Sequence, residues 1–357
     1  MALAPASSRL YWVDVLRGLA ILLMIPANLS PYFTEPHPMW YRILGSFAAP
    51  TFIALSAGMV VLRGADHPFV YYLRRGLLVT CVGMLLDAGL WSILPWTSFD
   101  VLYIIGPGMI LGYFARRWKP AALFAGFAVF AAVAMLLQKM CQYDPVPLQI
   151  YWSEFSWPET GRLFVSWFVD GWFPIFPWMG FVLFGAGLFG LLLRTDAEYY
   201  TTRLLRSGFV LAVLGFILLF VAIPGLDSIA AGSVVENRDG YSEIFYPPSL
   251  GYLLAAAGLV ILSALALRRM PRNPLLSAIS FFGRYSMMVY ILHQALGAQV
   301  IAPILEARGL ESIDSGLLFT AVNFLVVLAI ALICGAIGLV KKRYPPRALP
   351  WQILFGR

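Results

Sequence analysis

The chain has 357 residues, 61% of them hydrophobic and only 12% charged, with a net charge of +7. Soluble domains average about 45–50% apolar and about 25% charged residues, so a soluble globular class is excluded. Apolar runs of about 20 residues recur along the chain. Each can cross a bilayer as a helix, and none shows the alternation that a closed barrel requires. The expectation is an all-α polytopic membrane protein with about ten transmembrane helices.

The first expected span covers 12–30. Its start superficially resembles a cleaved leader. Asp14 and Arg17 interrupt the apolar region, however, and no small-x-small site follows, so an uncleaved span is expected. Asp14 and Arg17 stand three apart on one helix, close enough to pair. They either orient the first helix or form part of a site for a charged ligand entering from the cytosol.

A polar interruption, "NLSPYFTEPHPMW", follows at 28–40. Its Asn-Leu-Ser matches a glycosylation sequon, but it abuts the membrane and Pro31 follows, so it is discounted. His37 is one of three histidines and lies between Pro36 and Pro38, which stiffen the backbone around it. It is either an exposed loop histidine or a rigid imidazole suited to general-base work.

The next spans fall at 41–62, 72–92, 99–115 and 120–137. Asp87 and Asp100 either face a water-filled cavity or serve the fold, and with no partner in sight the second reading is preferred. The sixth span, 172–193, joins paired prolines to the small residues Gly180, Gly185 and Gly187, which suits close helix packing. Spans at 208–224 and 248–267 precede a ninth at 275–298, containing "FFGRYSMMVYILHQ". Arg284, Tyr290 and His293 would spread around that helix, with Arg284 in its inner half and His293 nearer the outer end. The tenth span is 315–340. With no soluble insert, linker or repeat, one transmembrane domain over 1–357 is expected.

Loop charge sets the orientation. Arg63, Arg74 and Arg75; Arg116, Arg117 and Lys119; Arg194, Arg203 and Arg206; and Arg268, Arg269 and Arg272 fall in alternate loops. Lys341, Lys342, Arg343 and Arg347 follow the last span. The positive-inside rule then makes both termini cytoplasmic and puts His37 at the outer face. The basic balance is a topology signal, so nucleic acid is not an expected partner. Acidic residues lean outward, among them Glu35, Glu159, Asp227, Glu236 and Glu243, as solvated loops or as attraction for a cationic acceptor. Cys81 and Cys334 fall inside spans and only Cys141 reaches an outer loop, so no disulfide framework is implied. No metal site is expected.

Five segments, "RLYWVDVLRGLAILLMIPANL", "HPMW", "FAAPTFIALSAG", "FPIFPWMGFVLFGAG" and "GRYSMMVYILHQ", occur in the order seen in the heparan-α-glucosaminide N-acetyltransferase family and its bacterial relatives. The resemblance spans nearly the whole chain. It implies a membrane acetyltransferase that takes acetyl-CoA from the cytosol and acetylates an amine or hydroxyl, usually of a sugar, on the far side. His37 would be the catalytic histidine and Asn28 its assistant. Arg17, Asp14 and Arg284 would hold the acetyl-CoA, with His293, Trp40 and Asp100 toward the acceptor. A bacterial inner membrane is the implied location, and the oligomeric state is open. The run after His37, "HPMWYRILGSFAAP", departs from the family's usual Trp-x-Gly-x-Thr-x-x-Asp pattern, with Arg42 and Ser46 where other residues are expected. Two rivals are a transporter or flippase lined by the same polar groups, and a degenerate acyltransferase fold used for sensing or scaffolding.

Overall fold

The computed structural model describes residues 10–64, 66–154, 160–193, 197–225, 229, 238–344 and 348–355. Arg194, Arg347, Glu159, Asp227 and Glu236 lie outside the described residues.

The helices, in chain order, are α1 (Tyr11–Asn28), α2 (Met39–Ser46), α3 (Ala48–Arg63), α4 (Phe69–Gly89), α5 (Val101–Ala115), α6 (Pro120–Cys141), α7 (Thr160–Val165) and α8 (Ile175–Leu192). Then come α9 (Ala197–Phe220), α10 (Leu250–Arg269), α11 (Pro274–Arg284), α12 (Ser286–Leu296), α13 (Ala302–Ala307), α14 (Gly316–Arg343) and α15 (Leu349–Phe355). Short 3₁₀ turns occur at Ser30–Tyr32 and Trp152–Glu154, and π-helical turns at Ser166–Asp170 and Gly297–Ile301. Only isolated β-bridges occur among the described residues. Nine helical segments among them are long and apolar enough to cross a membrane, and α5 is a shorter apolar helix. The protein is an all-α polytopic membrane protein.

The helix starts follow from local chemistry. Pro120 opens α6 and Pro274 opens α11, where a missing N–H costs nothing. Asn273 caps α11 by accepting from the Leu276 N–H at 2.8 Å, and Ser315 caps α14 from Leu318 at 3.3 Å.

One expected span is corrected. The segment 275–298 is broken at Tyr285 into α11 and α12, and the crossing runs instead over Ser286–Ala307. At 11 residues α11 is about 16 Å long, too short to cross a bilayer. Arg284 therefore ends a short helix, exposed, rather than occupying the inner half of a span. The break removes the cost of a guanidinium in mid-membrane.

The chain divides into two compact units. One is built chiefly from Ala49–Val235 and Ile244–Arg269, the other from Tyr11–Ala48, Glu236–Glu243 and Met270–Arg357. In the first, α9 packs along α10, α6 along α8 and α4 along α5. Gly185 of α8 lies so close to α3 that an added Cβ would fall 2.1 Å from the Ala54 carbonyl oxygen. The small-residue stripe read from the sequence is thus used for backbone-to-backbone packing. In the second unit α1 packs along α11. A Cβ on Gly18 would sit 1.9 Å from the Ile279 carbonyl oxygen, and one on Gly283 would sit 1.9 Å from that of Asp14. The three cysteines, Cys81, Cys141 and Cys334, are all free.

Candidate functional site

In the second unit the chain leaves α1 at Asn28 and crosses the polar interruption before entering α2. This crossing is pinned. Phe33 forms a parallel bridge with Ile313, with Ile313 N–H donating to Tyr32 O at 2.9 Å and Thr34 N–H to Ile313 O at 3.2 Å. The Thr34 hydroxyl donates to Asp314 at 2.6 Å and accepts from Ser312 at 2.6 Å. The Phe33 ring stacks on Phe319 of α14 at 4.5 Å, nearly parallel.

His37 is held by this loop and is buried, 8% exposed. Its Nε2 lies 3.0 Å from the Phe33 carbonyl oxygen, and its ring stacks on Phe33 at 5.5 Å. A carbonyl only accepts, so Nε2 carries the proton and the Nδ1 lone pair is unshared among the described residues. In its neutral form the ring is therefore held in place with one open nitrogen. Tyr41 packs beside it at 5.9 Å and donates its hydroxyl to the Pro26 carbonyl at the end of α1.

Asn28 was expected to assist His37. Its hydrogen-bond partner is instead His293, with Asn28 Nδ2 2.9 Å from His293 Nε2. His293 Nδ1 lies 2.9 Å from the Val289 carbonyl oxygen, to which it must donate. In the neutral ring Nε2 is then the acceptor and Asn28 the donor, which also fixes the orientation of the amide. His293 is fully buried with both nitrogens used, so it orients Asn28 rather than offering a nitrogen to a substrate. Asn28 keeps a second N–H and its carbonyl oxygen for another partner.

The candidate acetyl-CoA residues lie on α1 and α11 of the same unit. Arg17 Nη1 is 3.5 Å from Asp14 and 3.4 Å from the Gly283 carbonyl oxygen, so the expected intrahelical pair forms and also ties α1 to α11. Arg284 is exposed, its guanidinium 5.8 Å from the Phe281 ring. Arg17 precedes Asn28 by eleven residues, about 16 Å along the helix.

The other two acceptor candidates are less engaged. Trp40 is 66% exposed, edge-on to Tyr41. Asp100 belongs to the other unit, where it caps α5 by accepting from the Val101 N–H at 2.6 Å, a helix-starting task. Asp87, also in that unit, accepts from the Tyr103 hydroxyl at 2.6 Å and from Ser98 at 2.9 Å, as a structural carboxylate should.

The sequence offers Glu243, in the turn at 238–243, only as one of the outward-leaning acids. Arg238 and Tyr241 exchange backbone hydrogen bonds at 2.7 and 2.9 Å. Gly240 has φ +79°, and a Cβ there would fall 2.9 Å from Pro31 Cα, so only glycine seats this turn against the 3₁₀ turn at Ser30–Tyr32. Ser242 accepts at its carbonyl from Arg42 Nε at 2.8 Å. Arg238, Ser242, Glu243 and Arg42 are all buried. A sequence with charges spread over a loop gives no signal that the loop folds inward, and Arg42 alone stood out as a departure.

These features define a polytopic membrane protein with a half-buried, oriented amide and a buried, fixed imidazole in one unit. The family model for heparan-alpha-glucosaminide N-acetyltransferase, catalytic, matches residues 9–221. This is more than half of the chain, and the chain belongs to that family. Membership implies membrane N-acetyltransferase activity. A search of curated proteins gives no match. Among the described residues no group of three or more His, Cys, Asp or Glu could hold a metal ion.

Proposed function

We propose that the protein transfers an acetyl group from cytosolic acetyl-CoA to an amine or hydroxyl, of a sugar or glycan, at the outer face of a bacterial inner membrane. The observation that carries this reading is helix α1. It bears Asp14 and Arg17 near one end and Asn28 at the other, where the His37 loop begins. The positive-inside pattern assigns the Arg17 end to the cytosol. Arg17 and Arg284 are suited to phosphate, because a guanidinium matches its oxygens bidentately. The thioester would then reach toward Asn28.

The acceptor nitrogen or oxygen attacks the thioester carbonyl while its proton passes to His37 Nδ1. The free N–H of Asn28, held by His293, donates to the developing oxyanion. Collapse of the tetrahedral intermediate breaks the carbon–sulfur bond. The thiolate leaves and takes the proton back from the imidazolium, so transfer is direct and balanced.

Purified protein with His37→Ala should lose transfer by a factor of about 100–10,000 while acetyl-CoA still binds. Loss of acetyl-CoA binding together with activity would make His37 structural. Substrate flux through liposomes lacking acetyl-CoA would favour a transporter instead.

A further inference from the structure

His37 stands midway along a strap, residues 31–42, and the turn at 238–243 of the same unit grips both ends of it. At the first end Gly240 lies against Pro31, where an added Cβ would come within 2.9 Å of Pro31 Cα. At the other end Arg42 Nε donates to the Ser242 carbonyl at 2.8 Å. Both partners of that bond are buried, Arg42 at 6% and Ser242 at 1% exposure. A guanidinium is taken out of water at a cost, which hydrogen bonds must offset, so its burial calls for a reason.

The backbone supplies one. The Tyr41 and Arg42 N–H groups donate to the Pro38 carbonyl at 3.0 and 3.1 Å, making the first turn of α2 directly after His37. Tyr41 lays its ring 5.9 Å from the imidazole and its hydroxyl on the Pro26 carbonyl, two residues before Asn28. A shift of α2 is therefore a shift of the imidazole relative to Asn28. Arg42 departs from the family's Trp-x-Gly pattern, and the turn that receives it lies beyond the matched residues 9–221. Family membership thus gives this pair no task.

We propose that Arg42 is a positioning residue: clamped on Ser242, it sets α2 so that His37 meets the reacting atoms in one orientation. The inference rests on the acetyl-transfer reading, in which His37 takes the acceptor's proton. A base works only within hydrogen-bond reach of the proton it removes, and a misplacement of about 1 Å can cost about 100-fold. Pro36 and Pro38 stiffen the strap, so its middle follows its ends.

The test measures acetyl transfer from acetyl-CoA to glucosamine by purified full-length protein, together with amide hydrogen exchange over residues 33–42. Arg42→Ala should lower kcat per folded molecule about tenfold or more, with both KM values unchanged and exchange in the strap quickened. Arg42→Lys, which keeps a donor for the Ser242 carbonyl, should recover part of kcat. Gly240→Ala, which pushes the turn off Pro31, should reproduce the pattern with Arg42 intact. In a His37→Ala background Arg42→Ala should cost little more, because it acts through the imidazole. Unchanged kcat in Arg42→Ala and Gly240→Ala would overturn the inference and leave the transfer reading intact. A rise in KM at constant kcat, or a fall in kcat with exchange unchanged, would overturn it too. A loss undiminished in the His37→Ala background would make the clamp merely structural. Wild type that transfers no acetyl group would overturn the transfer reading itself, and the positioning role with it.

Discussion

Two buried carboxylates, one in each compact unit, show how differently the protein treats polar groups. Asp87 accepts from Ser98 and Tyr103 through the same oxygen, Oδ2. Glu243 leaves Oε2 without a hydrogen-bond partner among the described residues. The same contrast runs through the neighbours. Arg162 spends its guanidinium on Asp170 and Asp144, at 2.7 and 3.3 Å, and Asp100 is turned to capping a helix. In the other unit His37 keeps an open nitrogen and Asn28 a spare N–H. Polarity that is consumed locally builds a scaffold; polarity held in reserve in an apolar surrounding is what chemistry can use.

Substitutions can break or sharpen this contrast. After His37→Ala, the largest effect is expected at Asn28. Asn28→Ala should cut turnover per folded molecule about 100-fold, as removal of an oxyanion donor does, and should also lower the melting temperature, because it leaves the buried Nε2 of His293 without its donor. A fall in stability without a fall in turnover would move Asn28 to the scaffold side.

Asp87→Ala should behave in the opposite sense. It leaves the Ser98 and Tyr103 hydroxyls without their acceptor and should cost about 2 kcal/mol of stability, read as a lower melting temperature in detergent. Turnover per folded molecule should be unchanged. Turnover that falls at constant stability would bring Asp87 into the reaction and dissolve the distinction.

The smallest effect is a pH dependence at Glu243. Its folded value, about 7, lies above the ordinary 4.5, so the fold favours the neutral acid. The stability from that neutral form is complete below pH 4.5 and is lost as pH rises through 7. Glu243→Gln cannot ionise, so its melting temperature should gain on wild type between pH 5 and pH 8. A difference that does not change with pH would show that the carboxyl is not held up by burial.

Much of the scaffold was legible in the residues. Continuous apolar runs of membrane-spanning length leave a helix as the only ordinary solution. Most candidate crossings overlap the expected runs, but the seventh begins ten residues early, at Glu198, and the fourth run forms only the shorter helix α5. The Gly185 region also announced close packing correctly. The ninth run misled because hydropathy counts residues and ignores a helix end: Gly283, Arg284 and Tyr285 make a break inside an apolar stretch. Site residues were legible as types and not as pairs. That Asn28 meets His293 follows from how α1 and α12 pack, at a separation of 265 residues, and no local pattern records it. Glu243 was read as one more outward acid, because sequence spacing cannot show that Gly240 folds its turn against Pro31.

The bridge between Phe33 and Ile313 carries a consequence for biosynthesis. The strap around His37 comes off the ribosome early, yet the backbone partners that hold it, and Ser312 and Asp314 beside them, are made only after thirteen helices. Until that stretch emerges, the strap lacks its backbone bridge to Ile313 and its hydroxyl contacts to Ser312 and Asp314. A chain halted before Ser312 would hold the early helices without this anchor for the His37 strap, so on the proposed role of His37 activity would await the last part of the chain.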